Sequence, residues 1–328
     1  MSSPPPRAAV VLGTRGSALA RAQTGHVAGL LQAAWPGLAC EARPIVTRGD
    51  RTQASGEPLP EIGGKGLFTA ELEQALRDGE IDLAVHSLKD LPTLLPEGIA
   101  LAAVSEREDP SDALVGRGPV RWTELPKNGT VATSSLRRKA QLLHARPDLR
   151  VTDLRGNVDT RLRKLDASDW SAILLAAAGL LRLGLGHRIG ERLPSEVMLP
   201  APGQGALAVT ARVNDRRAIE AARSAVHHRP SALAVAAERA FLRRMEGGCQ
   251  VPVGARAVLE AGDTLMLHAR VIALDGSRMA EGHETGTVRG PADAERIGTL
   301  LADRLMGEGA AEILAEVRAG TVPSVPEP

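Results

Sequence analysis

The chain has 328 residues, 43% of them hydrophobic and 24% charged, with a formal net charge of +1. That length exceeds what one hydrophobic core usually serves, so two or three domains are expected. The even charge balance and an aromatic content of 2%, with no tyrosine, argue against nucleic-acid binding, which calls for clustered basic residues and rings for stacking.

In chain order, Ala8–Leu12 is a short apolar strand, followed by Thr14-Arg15-Gly16-Ser17 and a helical stretch to about Trp35 with Ser17 as its N-cap. Glu41–Thr47 reads as a strand. Residues 48–66, rich in Gly and polar groups, read as a long loop of the kind that is functional in compact domains. Phe68–Arg77 is helical, and Ile81–Val85 and Ile99–Val104 are strands. The style then repeats: strand Thr130–Thr133, helix Ser134–Ala145, strand Val151–Leu154, helix Asn157–Leu165, strand Ile173–Ala178. Strands alternating with helices imply parallel sheets covered on both faces. Pro200 and Pro202 break the chain before one more strand, Ala206–Ala211.

The last third differs. Pro230 precedes a helix from Ser231 to about Met245, ended by Gly247-Gly248. Strand-like runs follow at Val253–Leu259, Thr264–Ala273 and His283–Val288. A closing helix spans Ala292 to Val317, with a break expected at Gly307–Gly309. This pattern predicts a small α+β domain with a disordered Pro-rich tail.

Three strand-to-helix junctions share one chemistry: Thr14 to Ser17, Thr133-Ser134-Ser135-Leu136-Arg137-Arg138, and Arg155-Gly156-Asn157 with Arg161 one turn on. The first N–H groups of a helix lack partners and favour anions, and an arginine fork grips a carboxylate with two bonds. One such junction is ordinarily a cap beside a solvated arginine. Three of them fit a ligand bearing several carboxylates. Gly63-Gly64-Lys65-Gly66 lacks the spacing and hydroxyl of a nucleotide phosphate loop, so a loop that closes over a ligand is the better reading. His86-Ser87-Leu88-Lys89-Asp90 stands at the end of a strand, but no nucleophile-elbow glycines surround Ser87. Asp90 is there either a turn former or a functional carboxylate. Cys249, after two glycines, is equally a buried structural thiol or an exposed reactive one. His227-His228 and Cys40 lack metal-ligand spacing, so no metal is expected.

The basic residues are 35 Arg and only 5 Lys, a bias that codon usage explains and that draws attention to Lys65 and Lys89. The longest apolar stretch, around Ala172–Leu181, is too short to span a membrane, and the first residues lack the apolar core of a signal peptide. The expectation is a cytoplasmic protein with free cysteines.

Together these segments resemble the porphobilinogen deaminase family. The resemblance is carried by Gly13 to Ser17, Val46-Thr47-Arg48-Gly49-Asp50, Gly63 to Phe68, Ala84 to Asp90, and Glu106-Arg107-Glu108-Asp109-Pro110. It continues through Thr133 to Arg138, Leu154 to Val158, Leu199-Pro200-Ala201-Pro202-Gly203-Gln204-Gly205-Ala206, and Glu246 to Pro252. Each is weak alone; their order, over about residues 9 to 318, is specific. Ser111, where the family often has Arg, and the Pro-rich leader before Val10 are departures that touch no motif residue.

The resemblance implies an α/β fold of two lobes similar to periplasmic binding proteins, with mainly parallel sheets, the active site between them, and a small α+β C-terminal domain. The implied domains are 8–104 with 204–225, then 105–203, then 226–320, with 1–7 and 321–328 disordered. It implies a dipyrromethane cofactor held by a thioether to Cys249, on which four porphobilinogen molecules are joined before hydroxymethylbilane is released. Asp90 matches the catalytic aspartate. Arg15, Arg137, Arg138, Arg155, Arg161 and Arg182 would pair with acetates and propionates. Ser17, Gln23, Ser87, Lys89, Thr133, Ser134, Ser135, Gly156, Asn157 and Gln204 would assist, and Lys65 and Phe68 would belong to a mobile loop over the site. A monomer without metal, membrane or nucleic-acid partner is expected. The competing reading is a non-catalytic two-lobed binding protein for a small anionic solute, which would leave Asp90, Cys249 and the third domain without a purpose.

Overall fold

The structure is a computed structural model and describes residues 9–47, 49, 69–245 and 251–320. The chain divides into two units, Met1–Glu108 with Gly205–Ala232, and Asp109–Gln204 with Leu233–Pro328. The division therefore falls a few residues beyond the crossing points expected near Val104 and Leu199–Gly203. The C-terminal segment, expected as a third domain, is grouped with the second lobe but carries its own sheet and core.

The first unit is a five-stranded sheet in the order β2-β1-β3-β10-β4. Its strands are β1 (Ala9–Arg15), β2 (Ala39–Ile45), β3 (Leu83–Ser87), β4 (Ile99–Val104) and β10 (Leu207–Arg212). Central β3 and β10 are almost wholly buried, which is why neither alternates apolar and polar residues. Helices α1 (Ala18–Ala34) and α6 (Arg216–Val226) cover one face through Val27, Leu31, Ala218 and Ala222. Helix α2 (Ala70–Arg77) covers the other through Leu72 and Leu76.

The second unit repeats the plan in the order β7-β6-β8-β5-β9. Its strands are β5 (Asp112–Val115), β6 (Thr130–Ala132), β7 (Arg150–Thr152), β8 (Ala172–Ala176) and β9 (Glu191–Arg192). Helices α4 (Val158–Asp166) and α5 (Ala177–Arg182) cover one face. Helix α3 (Leu136–Ala145) covers the other through Leu142.

In each sheet four strands run one way and one is reversed. The reversed strands are β10 and β5, each antiparallel to both neighbours. Both follow directly on a crossing of the chain, so the connection that brings them in sets their direction and helix alternation does not. At one crossing Gly205 has φ +93, and a Cβ there would lie 2.3 Å from the Glu108 carbonyl oxygen; Glu108 N–H donates to Gly205 O at 3.1 Å. A side chain at 205 would break this close pairing.

In the C-terminal segment, β11 (Val253–Glu260), β12 (Thr264–Ile272) and β13 (Met279–Thr287) form an antiparallel sheet. One face packs on α7 (Arg229–Arg244), α8 (Pro291–Leu305) and α9 (Ala311–Arg318) around fully buried Phe241, Leu267 and Leu301. Pro230 lies inside the first turn of α7, where its missing N–H has no helical partner to lose. The break expected near Gly309 is a π-helical turn, Met306–Ala310, with Gly309 at φ +104. Glu238, fully buried on α7, accepts from Gly203 N at 2.6 Å and Ala257 N at 2.7 Å. It ties the chain after the second sheet to the third. No described helix is long and apolar enough to cross a membrane.

Candidate functional site

Each five-stranded sheet gathers predicted residues at the C-terminal ends of its parallel strands, the edge at which open α/β sheets bind ligands. In the first unit β1 and β3 are adjacent and parallel, with Leu12 beside Leu83 and Gly13 beside Ala84. Arg15 and Ser17 therefore follow one strand, and Ser87, Lys89 and Asp90 end or follow its neighbour, at the same edge of the sheet. Ser17 is the N-cap of α1, its Oγ accepting from Ala20 N at 3.2 Å. Buried Gln23, two turns into α1, reaches across to Ser87: its Nε2 donates to Ser87 Oγ at 2.8 Å. The chain after β3 makes a 3₁₀ turn, Leu88–Asp90, held by Leu88 N donating to Ala206 O at 3.0 Å. Lys89 is half-buried and Asp90 is exposed on that turn.

His86, one residue before this edge, is buried, and its Nε2 lies 3.0 Å from Thr210 Oγ1 on β10. Burial first, and then the charge of Arg15, pushes its imidazole down to about 4. It is therefore neutral at physiological pH and adds no cation beside Arg15.

In the second unit β6, β7 and β8 are parallel neighbours, and their ends carry Thr133, the 153–157 turn and α5. Thr133 N donates to Thr152 O at 2.8 Å, and Ser134 Oγ accepts from Leu154 N at 2.9 Å, so the two turns are stitched together. Ser135 is the N-cap of α3. The helix expected from Ser134 thus begins at Leu136, because Ser134 is spent on the neighbouring turn. Gly156 has φ +119, and a Cβ there would lie 2.9 Å from Thr160 Cγ2. Its carbonyl accepts from Arg161 Nε at 2.7 Å, which aims Arg161 back at the turn. Arg155 and Asn157 are exposed; Asn157 occupies the N-cap position of α4 without spending its side chain on the cap. Arg182 is half-buried in the last turn of α5.

Arg137 and Arg138 depart from expectation. Both are 5% exposed and both are gripped by Asp112, which is fully buried at the start of β5. Arg137 Nη1 donates to Asp112 Oδ2 at 2.6 Å, and Arg138 Nη2 to Asp112 Oδ1 at 2.7 Å. Gln204, expected at the ligand, is instead 1% exposed, and its Nε2 donates to Asp112 Oδ1 at 3.1 Å and to Pro110 O at 2.7 Å. Burial alone would raise the Asp112 carboxyl. The Arg137 and Arg138 charges, with the Gln204 hydrogen bond, reverse this and hold it well below the usual carboxylate range. Sequence reading missed Asp112 because its partners are far off in the chain; the only local signal is an acid immediately before an apolar run.

Lys65, Phe68 and Cys249 lie outside the described residues. Cys40 is a free, half-buried thiol on β2, and burial pushes it up, away from the reactive thiolate. Among the described residues no three His, Cys, Asp or Glu side chains gather as a metal cage.

Each strand edge is rich in cations, which suits ligand carboxylates, and the first edge also bears an exposed carboxylate. Comparison with known proteins narrows this. The family model described as porphobilinogen deaminase, dipyromethane cofactor binding domain, matches residues 10–220, and that described as porphobilinogen deaminase, C-terminal domain, matches residues 232–307. The chain belongs to the porphobilinogen deaminase family. The porphobilinogen deaminase of Moorella thermoacetica is 51% identical over 311 residues, 94% of this chain and 97% of that one. The porphobilinogen deaminase of Desulforudis audaxviator is 52% identical over 315 residues, 96% and 99%. Among solved structures, the methionine binding protein MetQ matches with a TM-score of 0.42 and 12% identity, over 66% of this chain and 90% of that one. The periplasmic VFT2 domain of Bordetella pertussis BvgS matches with a TM-score of 0.39 and 16% identity, over 66% and 86%. The family match covers both five-stranded sheets and most of the C-terminal segment, so this family member is an enzyme, with a domain of the cofactor-binding type.

Proposed function

We propose that this enzyme deaminates four porphobilinogen molecules, joins them head to tail, and releases hydroxymethylbilane by hydrolysis, a transferase step of tetrapyrrole and haem biosynthesis. The observation that carries the reading is the β1–β3 edge, where the 3₁₀ turn bearing Lys89 and exposed Asp90 follows the strand that lies parallel and adjacent to the one ending at Arg15, just before the Ser17 cap. A fixed carboxylate among cations is what a substrate with permanent acetate and propionate groups, and a transient positive charge, requires.

The residues fit a dipyrromethane. Such a group carries several carboxylates, and the second sheet offers exposed Arg155, half-buried Arg161 and Arg182, and the Arg137–Arg138 pair whose two charges Asp112 only half balances. Cys249 is proposed to hold it through a thioether. When bound, dipyrromethane supplies the free pyrrole carbon at which the chain is extended. The Asp90 carboxylate accepts from a pyrrole N–H of the substrate and stabilises the cationic azafulvene left when porphobilinogen loses ammonia. It also stands ready to take the proton shed after the new carbon–carbon bond forms. Arg15 and Lys89 hold substrate carboxylates so that the aminomethyl carbon lies near Asp90. Neutral His86 keeps a further positive charge away from the developing cation. The same reading makes the enzyme a cytoplasmic monomer.

The test is an intact mass of the purified protein together with turnover. A covalent dipyrromethane adduct is expected, with one ammonia released for each porphobilinogen consumed. An unmodified mass with no consumption of porphobilinogen would overturn the proposal.

A further inference from the structure

The two arginines that meet Asp112 are held differently. Arg137 meets it end-on, Nη1 to Oδ2 at 2.6 Å and Nη2 to Oδ1 at 3.2 Å, and Nη1 also donates to Leu199 O at 2.6 Å. That leaves its Nε–H and the neighbouring Nη2–H, the parallel pair that receives a carboxylate with two bonds. Arg138 has spent that same edge: Nε and Nη2 both donate to Asp112 Oδ1, at 2.9 and 2.7 Å, and Nη1 donates to Leu174 O at 2.9 Å.

The charges point the same way. Among the described residues, two buried guanidinium groups face one buried carboxylate, so the cluster keeps a single net positive charge. A buried charge without a counter-ion is costly, and one carboxylate from outside would balance it. Two would overshoot. Arg137 is fixed by Asp112 and by Leu199 O, and Leu199 O is itself held by Gln141 Nε2 at 3.0 Å. Its open edge therefore has a defined direction before any ligand arrives, which lowers the ordering cost of binding.

We propose that Asp112 is a positioning residue: it clamps Arg137 end-on so that the open Nε–Nη2 edge of Arg137 receives one carboxylate of the bound ligand, and it commits Arg138 as a brace. This rests on reading the strand edge as a carboxylate site. It gives different parts to two arginines that the resemblance groups together as carboxylate partners, and it gives a part to an acid that the mechanism does not otherwise use.

The experiment compares wild type, Asp112→Glu and Asp112→Asn. Five quantities are measured: melting temperature, the fraction of chains carrying the adduct, KM and kcat of the loaded enzyme, and, in chains kept free of the adduct by Cys249→Ser, the ¹⁵Nε resonance of Arg137 during an acetate titration. Asp112→Glu keeps the charge but displaces the clamp by a methylene. It is expected to fold, to raise KM about tenfold with kcat nearly unchanged, and to weaken the acetate response of Arg137 about tenfold, the scale of losing one well-aligned charged hydrogen bond. Asp112→Asn is expected to lose adduct loading. If it does not fold, Asp112→Glu decides alone. Folded Asp112→Glu with wild-type KM, loading and acetate response, whatever its melting temperature, would make Asp112 a purely structural acid and overturn the proposal. Should wild type itself carry no adduct and consume no porphobilinogen, the functional reading fails while the acetate titration still decides this one. In the adduct-free chains, a response at Arg137 that is absent without the Asp112→Glu change, or equal with and without it, sinks it.

Discussion

His86 and Thr210 meet across neighbouring antiparallel strands, the imidazole Nε2 3.0 Å from the hydroxyl, behind the edge that carries Arg15 and Asp90. The consequence is a pH dependence of stability with a definite sign. Burial, and then Arg15, lowers the folded-state value from 6.5 to about 4, so the unfolded chain takes up the proton first as pH falls. Stability from this group is complete above the unfolded value and is lost as pH drops from there towards the folded value. At about pH 5 the loss is on the order of 2 kcal/mol. His86→Gln is expected to flatten that part of the profile. Urea midpoints measured through this range check it, and an unchanged slope in the variant would place the titration elsewhere.

Arg155 and Arg137 separate binding from support. Arg155 is exposed, so Arg155→Leu is expected to keep wild-type melting while substrate affinity falls by about one to two decades, the scale of a lost charged hydrogen bond. Sequence alone predicts the same for Arg137→Leu. The structure predicts more: removing Arg137 strips the fully buried Asp112 of one of its two cations and costs roughly 3 kcal/mol of stability as well. Melting curves of both variants beside KM distinguish the two; equal melting would contradict the buried pairing.

How far these contrasts were legible in the sequence depends on the range over which each residue acts. Ser17 is readable as a cap because its partner, Ala20, is three residues away. The interruption at Gly309 is readable because glycines mark it, while its π-helical form is not. Asp112 is not readable, because Arg137, Arg138 and Gln204 reach it only after the chain has crossed, folded β5 and returned. The reversal of β10 is hidden for the same reason: an apolar run has no direction until the connections around it are known. Gln204 and Ser134 illustrate a third limit. Their residue types suit a ligand, but backbone and side-chain groups nearer at hand claim them first.

The two cysteines should behave oppositely. Cys40 is half-buried, with its thiol pushed up by burial, so it is a poor nucleophile. Cys40→Ala is expected to keep the full adduct mass and turnover. Cys249→Ser is expected to lose the adduct, because a serine oxygen is a far weaker nucleophile than a thiolate. Peptide mapping of the adduct checks both; an adduct on Cys40 would overturn the attachment site.

Asp90 offers the sharpest test of the chemistry. It is exposed on a 3₁₀ turn whose backbone is held by Leu88 N to Ala206 O and Leu91 N to Leu88 O, so its side chain is not needed to keep the turn. Asp90→Asn should therefore melt as wild type does. The amide keeps the size and one carbonyl acceptor but loses the charge. If the carboxylate stabilises a cation in the transition state, the rate should fall by about 10²–10³, the scale of losing one preorganised charge-stabilising group. Asp90→Glu keeps the charge and moves it by a methylene, so it should retain more activity than Asn. That ordering separates charge from hydrogen bonding, since a group needed only as an acceptor would tolerate Asn better than a displaced carboxylate. Single-turnover rates on chains of equal adduct occupancy measure the step free of loading effects. If Asn matches wild type or outperforms Glu, Asp90 serves only the turn, and the carboxylate that meets the cation must be sought on another element.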